Sequence, residues 1–247
     1  WWNGVLADDL DGDGDVDLAA GNLGLNSRVR VRPGEPARLY LADYDGSGRT
    51  VAVLATYRDG REYPFASLDL LRQQFPSVRK RYASYADFGA RGVGEVFEPG
   101  VRWDSAVHEA ETFATVWAEN DGAGRFTVRA LPAEAQFAPV YALLARDFDG
   151  DGRRDLLLAG NFTGVRPDRG REDASYGLLL RQSAPGQFEA ADLTESGLGI
   201  EGEVRALAPL RRADGARVLL VARNDDAPVV LRPREQEAVA PAAAQAE

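Results

Sequence analysis

The feature that most restricts the fold is self-similarity. Residues 5–22, VLADDLDGDGDVDLAAGN, return at 143–161 as LLARDFDGDGRRDLLLAGN. Each copy reads as a short apolar strand, an Asp/Gly loop, a second apolar strand and then Gly-Asn. A weaker copy, LYLADYDGSGRTVAVLATY, spans 39–57, and a fourth, VRALAPLRRADGARVLLVARN at 204–224, keeps the strands but has lost the acids. Four copies of one strand-loop-strand unit imply a repeated sheet architecture.

Between these units, TFATVWAENDGAGRFTVRALP (112–132) and YGLLLRQSAPGQFEAADL (176–193) each hold two β-rich runs joined by a Gly-containing turn, the pattern of a hairpin. A strand-loop-strand unit followed by a hairpin makes four antiparallel strands, one blade of a propeller. The connecting segments lack helical periodicity, which argues against parallel βαβ packing. The expected fold is therefore all-β: about three to four propeller blades of four-stranded antiparallel sheet, over residues 1–232. Residues 233–247, rich in Ala, Pro and Glu, read as a disordered tail. One segment, 67–97, departs from the pattern. Leu68, Leu71 and Phe75 fall at helical spacing, with Ser67 as N-cap and Asp69 in the first turn. Pro76 is expected to stop that helix and Ser77 to cap a second, giving an insertion of one to three helices.

The loop DLDGDGDVD (9–17) puts five carboxylates into nine residues. Two carboxylates ~4 Å apart repel by about 4 kcal/mol at an effective dielectric of roughly 20. A few such pairs rival the about 5–15 kcal/mol that keeps a domain folded. A cation inside the loop removes the conflict, because alternation lets every second side chain turn onto one centre while Gly12 and Gly14 permit the tight backbone. A donor set of oxygens alone suits calcium better than zinc or copper. Loop positions 1, 3, 5 and 9 are Asp9, Asp11, Asp13 and Asp17, and Asp15 offers a backbone carbonyl from position 7. The second loop places Asp147, Asp149, Asp151 and Asp155 likewise, with Arg153 at the carbonyl position and its side chain expected to point outward. An EF-hand needs a bidentate Glu at position 12; Ala20 and Leu158 stand there, so that reading fails. The third loop keeps Asp43 and Asp45, but Ser47 and Val51 replace the other acids, and weak or no binding is expected. Two full calcium sites follow.

The chain has no cysteine, so it holds neither disulfides nor a Cys-based zinc site. A formal net charge of −10 argues against nucleic acid or an anionic membrane as the main partner. No apolar run reaches the length of a membrane span, and no signal-like segment opens the sequence. Methionine is absent even at position 1, so the chain is expected to be processed or cut from something longer. The basic run Arg79, Lys80, Arg81 reads as a solvated helix face. The single histidine, His108, sits near Asp104 and Ser105 without a catalytic motif, and no catalytic residue is assigned. Trp1, Trp2, Trp103, Trp117, Tyr63, Tyr82 and Tyr85 are candidates for ligand contact, with core packing the competing role.

The two full loops and their strands resemble the FG-GAP or VCBS repeats of integrin-like β-propellers. WWNG (1–4), GNLGLNS (21–27), LPAEAQFAPV (131–140), DASYG (173–177) and GEVRALAPL (202–210) extend the likeness over nearly the whole chain. They are similar to the C-terminal part of large bacterial VCBS-repeat proteins, some of which also carry ASPIC/UnbV-type domains. The resemblance implies calcium at Asp9, Asp11, Asp13, Asp17, Asp147, Asp149, Asp151 and Asp155. It also implies a secreted or cell-surface propeller and does not imply a reaction; the expected function is a non-catalytic module that binds a protein or glycan in adhesion, with structural calcium. A calcium-dependent polysaccharide-acting enzyme or its accessory domain, and a structural subunit of a larger extracellular assembly, are the alternatives. Such propellers usually close with about seven blades, so the rest would come from a longer chain or from association of copies.

Overall fold

A computed structural model describes residues 1–97, 106–166 and 170–232; the proposed tail lies outside them. The first repeat folds as its alternation requires. β1 (Gly4–Asp8) and β2 (Asp17–Gly21) pair antiparallel across the acidic loop, with Asp8 opposite Asp17. The chain then leaves this sheet and builds another from β3 (Ala37–Ala42), β4 (Val51–Arg58) and β5 (Arg61–Pro64). Four short helices follow, α1 (Leu68–Gln74), α2 (Pro76–Arg81), α3 (Tyr85–Gly89) and α4 (Val93–Val96), before β6 (Val107–Ala110) returns to pair with β3. Only then do β7 (Val116–Asn120) and β8 (Phe126–Ala130) complete the first sheet, in the order β1-β2-β7-β8.

The second half is uninterrupted. β9 (Val140–Arg146), β10 (Asp155–Gly160), β11 (Leu178–Ala184) and β12 (Gln187–Ala190) form a four-stranded meander. After a short helix α5 (Leu193–Ser196), β13 (Val204–Arg211), β14 (Arg217–Arg223) and β15 (Val229–Leu231) make a three-stranded sheet. The chain is thus mostly β, every pairing is antiparallel, and among the described residues no sheet closes on itself. Both hairpins stand where the sequence places them. The first, however, completes the sheet begun before the insertion, and among the described residues the fourth repeat gains one further strand.

Three of the sheets stack. Leu6, Ala19 and Trp117 of the first share a core with Leu143, Leu156 and Leu158 of the second. On its other face the second sheet packs Ala142 and Ala159 against Val204, Leu219 and Val221 of the third. Strand β10 is buried at all six residues because both faces are covered, which is why it reads LLLA without polar alternation. At the first junction the backbones almost touch. A Cβ on Gly4 would lie 2.5 Å from the Tyr141 carbonyl oxygen, and the Val140 N–H donates to Asn22 O at 2.9 Å.

The inserted sheet carries its own core, in which Ala42 and Val53 meet Leu68, Leu71, Phe75 and Val96 of the helices. Ser67 caps α1 by accepting from the Leu70 N–H, as expected. Ser77 does not cap α2. Pro76 is itself the first residue of that helix and Phe75 precedes it as the cap position, because the N–H that proline lacks has no helical partner there. The helices number four, against the expected one to three.

Candidate metal loops

The two full loops follow the same backbone course. Gly12 and Gly14 have φ of 85° and 99°, and Gly150 and Gly152 have 86° and 90°, left-handed values that glycine adopts without strain. At position 1, Asp9 accepts from the N–H of Gly12 at 2.8 Å and of Gly14 at 3.2 Å. Asp147 does the same with Gly150 at 2.6 Å and Gly152 at 3.0 Å. Each following aspartate takes the N–H two residues on: Asp11 from Asp13, Asp13 from Asp15, Asp149 from Asp151 and Asp151 from Arg153. A side-chain period of two thereby becomes a chain of Asx turns. The third loop keeps the beginning of this scheme, with Asp43 accepting from Ser47 and Gly48.

Position 9 has a role that reading the acids as ligands did not reveal. Asp17 and Asp155 are fully buried, at 0% exposure. Asp17 accepts from Leu10 N–H at 3.0 Å within its loop and from Asn120 N–H at 2.8 Å on β7. Asp155 accepts from Phe148 N–H at 2.9 Å and from Gln182 N–H at 3.0 Å on β11. Each carboxylate clamps its loop to the next strand of the sheet, and hydrogen bonds to a charged acceptor contribute about 1.5–3 kcal/mol each. The third loop has Val51 at this place and no such clamp.

Gln182 was also unread in the sequence. Its buried side-chain amide donates to Leu10 O in the first loop and, at 3.0 Å, to Arg154 O in the second. Arg154 in turn approaches Asp8, Nε to Oδ2 3.6 Å. The two loops are therefore joined to each other as well as to their own sheets. Only its place after an apolar run in β11 could have marked Gln182 as buried.

The structure gathers Asp9, Asp11 and Asp17 so that one ligand oxygen from each lies within 4.8 Å of the others, and it gathers Asp147, Asp149 and Asp151 in the same way. Asp13 and Asp155 fall outside these groups. Burial, and then the charges of Asp17, Asp13 and Glu119, push the Asp11 carboxyl above its ordinary range, although the Asp13 N–H opposes this. Burial likewise raises Asp155 against the pull of the Gln182 and Phe148 N–H groups. The Asp15 side chain lies against Gly122 in the β7–β8 turn. The Arg153 side chain is exposed but not free: its guanidinium pairs with Asp151, and its Nε donates to Gln182 O at 2.6 Å.

Donor chemistry suits a hard dication: calcium takes oxygen ligands at about 2.3–2.6 Å, and oxygens within 4.8 Å of one another can reach one ion. Every engaged carboxylate oxygen retains a lone pair after accepting one N–H.

Other candidates fall into place. Trp117 and Tyr82 are core residues, and Tyr63 lies under Arg58 and Arg61. Trp1, Trp2 and Tyr85 are more than half exposed. His108 is exposed on β6, opposite Leu39; Trp103, Asp104 and Ser105 lie outside the described residues. At the end of the strands opposite the acidic loops, a cleft of about 600 Å³ is lined by Tyr141, Phe162, Glu203, Arg205 and Asn224. Arg205 sits 4.0 Å over the Tyr141 ring and pairs with Glu203, which also accepts from Thr163 and Asn224. Burial would raise the Glu203 carboxyl, but these bonds outweigh it and hold the group below its usual range.

No protein family, curated protein or solved structure matches the chain.

Proposed function

We propose that this chain is a calcium-binding repeat module of the FG-GAP/VCBS type, whose stacked sheets are β-propeller blades and which serves protein or glycan binding at the cell surface or outside the cell. One observation carries the calcium reading. Two loops that share the acids and glycines of one D-x-D-G-D-G-x-x-D pattern and the same backbone course each bring three carboxylates together with oxygens within 4.8 Å. Asp9, Asp11 and Asp17 would hold one ion, and Asp147, Asp149 and Asp151 the other, with Asp13, Asp155 and the carbonyls of Asp15 and Arg153 close in the chain. Bound calcium supplies positive charge that offsets the repulsion among these acids.

The protein's own residues suggest that the role is structural. Asp17 and Asp155 each spend one carboxylate oxygen on a backbone N–H of the loop and the other on a backbone N–H of the neighbouring strand, which supports a loop built to fix strands. The opposite end of the strands, with the Arg205 cleft and the exposed Trp1 and Trp2, is the better place for a partner, since aromatic and polar groups together suit glycans and peptides.

Calorimetric titration with calcium, paired with melting curves in calcium and in chelator, tests the metal reading. Two binding events and a higher Tm in calcium are expected; a ligand at a hundred times its Kd stabilises by about 2.7 kcal/mol. Absence of both heat and shift would sink it. Glycan-array binding that is lost in an Arg205→Ala variant tests the partner surface.

A further inference from the structure

Each junction in the stack of three sheets joins two unlike faces, and the repeats allow those faces to be matched residue by residue. Val5, Ala7, Leu18 and Ala20 of the first sheet correspond to Leu143, Ala145, Leu156 and Leu158 of the second. In the second sheet these four face the first and lie in the core the two share. In the first sheet the same face looks outward. Val5 is 70% exposed on one edge strand, and strand register carries the face across half-buried Leu18 and buried Ala118 to Val128, which is 61% exposed on the other.

The other end of the stack presents the complementary face. DLLLAGN (155–161) aligns without a gap on VLLVARN (218–224). Leu219 and Val221, the counterparts of Leu156 and Leu158, pack against the second sheet. The alternate face of the third sheet is its outer one. Ala206 and Ala222 correspond to Ala142 and Ala159, which in the second sheet are covered by the third. Here they look outward, with Leu210 47% and Val230 53% exposed on the same face. One end of the molecule therefore shows the face that the second sheet turns to the first, and the other end shows the face that it turns to the third. Together they are the two halves of a junction already made twice within the chain.

We propose that a second copy of this chain covers both faces, the first sheet of each copy stacking on the third sheet of the other, so that two copies close a ring of six sheets. Head-to-tail contacts give a ring when the rotation closes, and six lies within the about four to eight blades of known propellers. Closure of the ring rests on reading the sheets as propeller blades; the pairing of faces rests on the internal junctions alone.

The test is the mass of the full chain by light scattering and sedimentation over a wide range of concentration. A species of twice the 26.7 kDa chain mass is expected. Val5→Glu and Val230→Glu each alter one exposed position on one face, and each alone should yield monomer with the Tm of a folded chain. Mixing the two variants should restore dimer, because one of the two joints then has both faces intact. A wild-type monomer at every concentration, a dimer that survives either substitution, a mixture that stays monomeric, or an open-ended series of larger species would overturn the proposal. Calcium titration of the same variants should be unchanged, so failure to associate is distinguishable from failure of the calcium reading.

Discussion

Gln182 donates its side-chain amide to the carbonyl of Leu10, a residue 172 positions earlier in the chain. The same amide reaches Arg154 O, so one side chain ties the first acidic loop to the second. Gln182→Ala should leave both carbonyls without a donor, each at a cost of about 1–3 kcal/mol, and lower the Tm by several degrees. It should also weaken calcium at both loops together. Titration of the variant checks this, and a change confined to one loop would contradict the bridge.

Asp17→Asn and Asp155→Asn separate anchoring from metal binding. An amide oxygen can accept one of the two N–H bonds, but its NH2 then faces the other donor. Urea unfolding in the presence of chelator should show a loss of about 1–3 kcal/mol for each variant. An unchanged midpoint would mean that the clamp to Asn120 or Gln182 contributes nothing.

Arg153 neutralises an acid of the second loop by pairing with Asp151. In an Asp9→Asn background, where the first loop is weakened, Arg153→Gln should tighten calcium at the second loop by up to about fivefold, the value of an exposed ion pair. Calorimetry would read this directly, and weaker binding would show that the arginine instead holds the loop in shape.

The Glu203 carboxyl, held low by Thr163, Asn224 and Arg205 despite its burial, sets a pH window at the far end of the strands. A depressed folded value means that its stabilisation is present above the ordinary glutamate value of 4.5 and is lost as pH falls through the lower folded value. Glu203→Gln should lower the Tm near neutrality and flatten its decline in acid. Melting curves of both proteins in chelator, from neutral to strongly acidic pH, provide the check; parallel declines would exclude the assignment.

Much of this was legible in the sequence because it is periodic. Alternation located the strands, Gly-containing runs located both hairpins, and the acids at every second position located the loops. What stayed hidden depends on distance in space. Nothing local in DVDLAAGN says that Asp17 is buried against Asn120, or that β2 takes β7 as its neighbour. Ser77 looked like a cap because it follows proline, yet the missing N–H makes Pro76 itself the start of α2. Arg153 faces solvent, but nothing local in the sequence says that its guanidinium also pairs with Asp151 and bonds to Gln182 O.

The excursion between β2 and β7 carries a kinetic consequence. Leu18 pairs with Ala118, so the first sheet must close a loop of nearly a hundred residues, a separation that slows folding. The neck is narrow, however. Asn22 bonds to Thr112 and Thr115, and the Gly24 N–H donates to Phe113 O. If the guest sheet, with its own helix-backed core, folds early, it delivers the two ends to each other. Its stability then sets the rate at which the host sheet forms, and a weakened helix cluster around Phe75 would delay assembly of strands it never touches.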